Sequence, residues 1–266
     1  MKIIDCFIFY NELDLLNYRL SILNDVVDYF VIVESTHTFT GKEKELFYDK
    51  NKNQFEMYQD KIIHIIIDDL PFKFPFIDYL KNEQWENEYH QRNTISRGIS
   101  KISLLDNDIL IISDLDEIPN PSLLLKIKKE ELSIEINSLE QDLYCYNLNT
   151  QCNCKWYASK ILTYNKFVEL NINCNDLRQN TYPILQNSGW HLSYFGDEYF
   201  IQNKIQTFSH QELNTEKFTN IDTIKRKIML SDNLYDRGSA NIKISIKDNS
   251  NLPPNYLEYL SNYFSY

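Results

Sequence analysis

DILIISDLDEIP, residues 108–119, is the stretch on which the reading of the whole chain turns. Its first half is an unbroken apolar run of strand length, and its second half is acidic and closed by proline. A strand with one wet face alternates polar and apolar residues, so an unbroken run points to a strand covered on both faces, as in a parallel sheet between layers of helices. Ligands meet such sheets beyond the carboxyl ends of the strands. Asp114 and Asp116 are separated by one residue and so lie on the same side of a pleated backbone. With Glu117 beside them, these carboxylates suit a hard divalent cation, Mn²⁺ or Mg²⁺, that keeps positions open for phosphate oxygens.

Working outward, the same pattern repeats. KIIDCFIFY (2–10) is an apolar strand, and after it Leu13, Leu16, Leu20 and Leu23 recur at helical spacing. YFVIVEST and KIIHIIIDDLP read as further strands, each ending in polar groups: Asn11 and Glu12 after the first strand, Glu34 after the second, Asp69 after the third. WENEYHQRNTISRGISKISLL reads as one helix leading into the acidic strand. Strands alternating with helices predict an α/β fold with a mostly parallel central sheet flanked by helices. Beyond Pro119 the pattern loosens. LLLKIKKEELSIEI reads as a helix, LYCYNLN, WYASKILTY and SGWHLSYFG as strands, and IQNKIQTFSHQE and IDTIKRKIMLSDNLYDRG as helices.

The chain has 266 residues, only five Gly and seven Pro, and no linker-like stretch, so residues 1–240 are expected to form one domain with residues 241–266 as a tail packed on it. Within that domain, 1–120 is the expected nucleotide and metal half and 121–240 the acceptor half. A net charge of −11 argues against nucleic acid as a partner. No apolar run approaches membrane-spanning length, and no signal-peptide core opens the chain, so a cytoplasmic location is expected. The five cysteines are odd in number and their close pair reads CNC, which predicts mostly reduced thiols.

Seven motifs, IDCFIFYNELDLLNYRL, DYFVIVESTHTFTGK, IIIDDLP, WENEYHQRNTISRG, ILIISDLDEIP, SGWHLSYFG and KIQTFSHQE, occur in that order. Together they resemble glycosyltransferase family 17 over residues 3 to about 238. The resemblance implies a GT-A-like nucleotide-sugar-binding fold, a UDP-sugar donor (UDP-N-acetylglucosamine), and direct displacement onto a glycan acceptor to form a β linkage. An amino-terminal anchor and stem like those of the animal members are not expected.

Candidate site residues follow. Arg92 and Asn93, in the helix before the acidic strand, are placed to contact the nucleotide, with Asn11, Glu12, Glu34, Asp69 and Asp114 along the sheet edge and Arg237 as a diphosphate clamp. His191 and His210, at places where the family shows histidine, would complete the metal shell of Asp114, Asp116 and Glu117. An inverting transferase needs a general base, and Asp197 or Glu198 is the expected one, with Glu212 and Asp142 as rivals. Trp190 and Tyr194 offer aromatic surface to an acceptor sugar. Competing readings are a nucleotidyltransferase, which lacks its usual glycine-rich loop here, and an inactive carbohydrate-binding relative.

Overall fold

The computed structural model describes residues 1–264. Four parallel strands form one half of a ten-stranded sheet: β1 (Ile3–Phe9), β2 (Tyr29–Ser35), β3 (Ile62–Ile67) and β4 (Ile109–Asp114). After these come β5 (Glu117–Pro119), β6 (Ile136–Cys145), β7 (Thr150–Trp156), β8 (Lys160–Thr163), β9 (Ile184–Ser193) and β10 (Asn241–Lys243). The order across the sheet is β10-β7-β6-β8-β4-β1-β2-β3, with β9 pairing β6 and β5. The sheet is mixed: β8 runs antiparallel to β4, whereas β9 runs parallel to β6. The α/β class and the parallel half are as the apolar runs predict.

The pleat sorts each central strand between two cores. Ile3, Phe7, Phe30, Ile32, Ile109 and Ile111 face one cluster. Their neighbours Ile4, Cys6, Val31, Val33, Leu110 and Ile112 face the other. Every one of these side chains is buried, so the runs are apolar except at Asp5, whose carboxylate is met by the buried Arg19. Among the described residues no helix is long and apolar enough to cross a membrane.

Four readings are corrected. The acidic strand stops at Asp114, and Glu117–Pro119 form a separate strand antiparallel to β9, so the acidic residues occupy a turn between two strands. The long helix breaks into Glu83–Asn93 and Ile95–Ile99 around Thr94, where Gly98 lets the second piece close on β2: a Cβ there would sit 2.2 Å from a Val31 methyl. The helix expected from Leu123 ends at Lys128, and only its last residue, Ile136, enters β6. Cys6, Cys145 and Cys174 are free, but Cys152 and Cys154 are joined, being two apart on one strand with Cα atoms 5.2 Å apart.

The acidic turn is fastened from beneath by Arg19. This residue sits in the helix Leu13–Leu23, fully buried, with its guanidinium 4.3 Å from the centre of the Phe7 ring. Its Nη1 donates to the carbonyls of Asp114 (2.8 Å), Leu115 (2.9 Å) and Glu117 (3.0 Å). Its Nε and Nη2 donate to the Asp5 carboxylate at 2.8 and 2.6 Å, and Nη2 also reaches Ser113 Oγ. A second constraint comes from Gly189, at φ 149°, where a Cβ would lie 2.1 Å from the Ile118 carbonyl oxygen. Only glycine lets β9 approach β5 and bring His191 opposite Glu117.

Replacing Arg19 strands a buried carboxylate and three turn carbonyls at once. Arg19→Met is expected to lose about 3–5 kcal/mol in urea unfolding. The double variant Asp5→Leu/Arg19→Met should recover only the part owed to the unpaired carboxylate, because the carbonyls stay unmet. Stability within about 1 kcal/mol of wild type for the single variant would refute this role.

Candidate active site

A cavity of about 1000 Å³ opens where β1 and β4 end, lined by the acidic turn and by side chains from both halves of the chain. Its walls hold Lys44, Arg92, Arg178, Lys204 and Arg237 against Glu12, Glu88, Asp114, Asp116 and Glu117.

Two arginines consume most of the acidic turn. Asp114 Oδ1 accepts from Arg92 Nη2 at 3.1 Å, and Oδ2 accepts from Arg178 Nη2 at 2.7 Å. Arg92 also holds Glu88 and Asn175. Glu117 is 1% exposed and accepts five hydrogen bonds: two from Arg178 and one each from the Trp156 indole, the Ser159 hydroxyl and the Asp114 backbone N–H. Burial alone would push the Glu117 carboxyl up, but Arg178 holds it down to about 2.

Asp116 is differently placed. Its Oδ2 lies 3.1 Å from Lys204 Nζ and its Oδ1 3.5 Å from His191 Nε2. Burial works to raise this carboxyl, yet Lys204 and His191 together keep it well below the usual range. Lys204 Nζ also stands 3.5 Å from Glu12 Oε1. Burial penalises the ammonium, but Asp116 and Glu12 outweigh it and hold it protonated well above the ordinary lysine range. Lys44 has weaker support from Glu34 at 3.8 Å, and burial pulls it down to about 8.

The expected metal set does not assemble. Glu117 has no lone pair left for a cation, and both oxygens of Asp114 are taken by guanidinium groups. His210 donates or accepts through Nδ1 with Glu212 at 2.7 Å and packs edge-on against Trp85 at 4.6 Å. His191 lies against Trp156, with its Nδ1 buried and without a hydrogen-bond partner. Among the described residues no three His, Cys, Asp or Glu converge as a metal shell. Asp114, Asp116, Glu117, His191 and His210 therefore do not fit a divalent ion as a group.

The other predicted residues divide. Glu12, Arg92, Tyr194 and Arg237 line the cavity, Tyr194 sharing a hydroxyl hydrogen bond with Tyr235 at 2.7 Å. Asn11 borders a smaller cavity of about 270 Å³ instead. Glu34 is buried and bound by Tyr48 N and His64, and Asp69 pairs with Arg97 and His90 at the surface. Asn93 accepts from Asn175 N. Trp190 points to the side of β9 opposite His191, into the main core, with its indole N–H on the Asn251 carbonyl. Asp197 caps the helix Glu198–Thr207 by accepting from Phe200 N at 2.8 Å, and it borders the smaller cavity. Glu198 stands 3.9 Å from Lys225. Neither carboxylate lines the large cavity.

Sequence reasoning missed Arg19, Arg178 and Lys204. Arg178 sits in the short helix Cys174–Gln179, a polar segment with no pattern of its own. Lys204 left one faint trace, a cation between the buried Ile201 and Ile205 of an amphipathic helix.

Known proteins match this chain at several levels. The family described as Glycosyltransferase family 17 matches residues 1–239. The β-1,4-mannosyl-glycoprotein 4-β-N-acetylglucosaminyltransferases of Homo sapiens and Rattus norvegicus are each 31% identical over 113 residues, 41% of this chain. That match spans 20% of the relatives' own length. Among solved structures, residues 1–349 of S. aureus TarS give a TM-score of 0.40 at 12% identity, over 87% of this chain and 71% of the other. The mannosyltransferase PcManGT of Pyrobaculum calidifontis, solved with GDP-Man and Mn²⁺, gives 0.42 at 11% identity, over 86% and 70%.

The Glu117–Arg178 pair makes a pH-dependent contribution to stability. Because the folded carboxyl titrates near 2, below the unfolded value, its stabilisation is complete above about pH 4.5 and is lost as pH falls toward about 2. Arg178→Met should cost about 3–5 kcal/mol in urea unfolding at neutral pH, with that acid-dependent part gone. A variant as stable as wild type at neutral pH would show that Glu117 does not need Arg178.

Proposed function

This chain belongs to glycosyltransferase family 17, and from that premise we propose that it moves N-acetylglucosamine from UDP-N-acetylglucosamine to a hydroxyl of a glycan acceptor, with inversion and a β linkage. The observation that carries the reading is the collection of five cationic side chains in one cavity at the carboxyl ends of parallel strands, in a chain of net charge −11. Carboxylates of the same cavity balance Arg92 and Arg178, and the donors left over on Lys204, Lys44 and Arg237 support a bound anion at the sheet's ligand edge. The sugar assignment draws on the names of the relatives.

In the displacement, the acceptor oxygen bonds to the anomeric carbon while the bond from that carbon to the phosphate oxygen breaks, and UDP leaves with the electron pair. The acceptor proton passes to a base. His210 is the cavity group arranged for that task. With Nδ1 engaged by Glu212, its Nε2 is the ring nitrogen left for the acceptor proton, and Trp85 and Phe208 fix the ring plane.

Incubation with UDP-N-acetylglucosamine and a panel of glycan acceptors should release UDP and yield a β-linked product, read by the anomeric coupling in NMR. His210→Gln should lower kcat by about 10² to 10⁴ while UDP affinity stays within about threefold of wild type, and Glu212→Gln should fall between the two. Normal turnover by His210→Gln would place the base elsewhere. Release of pyrophosphate from nucleoside triphosphates, with no sugar transferred, would favour nucleotidyl transfer.

A further inference from the structure

The helix Glu198–Thr207 turns Ile201 and Ile205 into a small core of their own and Lys204 toward the cavity. The Lys204 side chain is 22% exposed, and its ammonium is gripped from two directions, by Asp116 of the acidic turn and by Glu12 at the end of β1. The Tyr194 ring lies 5.3 Å away on a third side. An ammonium has three N–H donors, and two carboxylates take two of them. Of the other cavity cations, Arg92 and Arg178 are spent on Glu88, Asp114 and Glu117, Lys44 stands over the Tyr10 and Phe47 rings, and Arg237 lies 5.7 Å from the Tyr235 ring with no carboxylate among the described residues holding it in place.

Given the donor assigned under Proposed function, we propose that Lys204 is a ligand of the donor's diphosphate, meeting its phosphate oxygens beside Asp116 at the place expected for a divalent cation. Asp116 and Glu12 position it. Both carboxylates hold the ammonium in one place before donor arrives, so little side-chain freedom is lost on binding. As the bond between sugar and phosphate breaks, negative charge grows on the departing oxygen, and a cation fixed in a largely buried cavity stabilises it more than a solvated one would.

The test is calorimetric titration of the full chain with UDP and, separately, with uridine, each in Mn²⁺ and in EDTA. Lys204→Met should weaken UDP by at least about tenfold in both buffers and leave uridine within about twofold, whereas Lys204→Arg should restore UDP to within about threefold of wild type. Equal melting temperatures for the Arg and Met variants guard against a folding defect. Wild-type UDP affinity in Lys204→Met would overturn the proposal, as would equal losses for UDP and uridine, which would mean a collapsed cavity. A loss that vanishes when Mn²⁺ is supplied would also overturn it, making the metal the diphosphate's cation. A wild-type chain that binds UDP in neither buffer would instead sink the donor reading on which this inference rests.

Discussion

A turn of consecutive carboxylates at the end of a buried strand is electrostatically awkward, since its side chains repel one another and its carbonyls face a low-dielectric core. Arg19 resolves the second difficulty by donating to the carbonyls of Asp114, Leu115 and Glu117 from a single guanidinium. Its charge is met in turn by Asp5, on the strand beside β4. A planar fork with five donors can do this where a lysine could not, because a point charge cannot address three carbonyls and a carboxylate in fixed directions. Everything at the cavity floor takes its position from that arrangement.

Above the turn, the side chains are sorted by which cation reaches them. Glu117 is closed off by Arg178, Trp156 and Ser159 and serves as a buried post between β5, β7 and the helix carrying Arg178. Asp114 stands between two guanidinium groups and links the helix Glu83–Asn93 to the same arginine. Asp116 alone is held by an ammonium and an imidazole rather than by a guanidinium. Three carboxylates within four residues thus have three different environments, and only the middle one is free of a guanidinium.

The fold was legible where burial is uniform. Strands β1, β2 and β4 read directly because both their faces are covered, the one polar break being Asp5, which Arg19 pairs. Strands β6 and β7 carry Asn137, Glu140, Gln141, Asn153 and Lys155, so only their ends were read as strand, in LYCYNLN and WYASKILTY, with bounds displaced from those observed. At the site, the acidic turn and Arg92 were visible because they sit beside the strand that announces them. Arg178 and Lys204 were not, since they meet the turn from 64 and 88 residues away and their own neighbourhoods carry no sign of the contact. The Asp197 and Glu198 expectation failed for a related reason: helix-opening carboxylates look alike whether they cap a helix or face a substrate.

Those two distant cations also change how the halves of the chain relate. The sequence reading gives the nucleotide to residues 1–120 and the acceptor to 121–240, as though each half carried one ligand. The geometry joins Arg178 to Asp114 and Lys204 to both Glu12 and Asp116, so the later half reaches back onto the earlier half's ligand edge. The helix that bears Lys204 leads within three residues into His210, whose ring faces Trp85 from the earlier half. Ser209 beside it bonds Glu88. One continuous segment, 204–210, therefore touches the acidic turn at one end and the aromatic wall of the cavity at the other. On the proposed reading, a donor that moved Lys204 would move His210 with it, because one short stretch of backbone carries both.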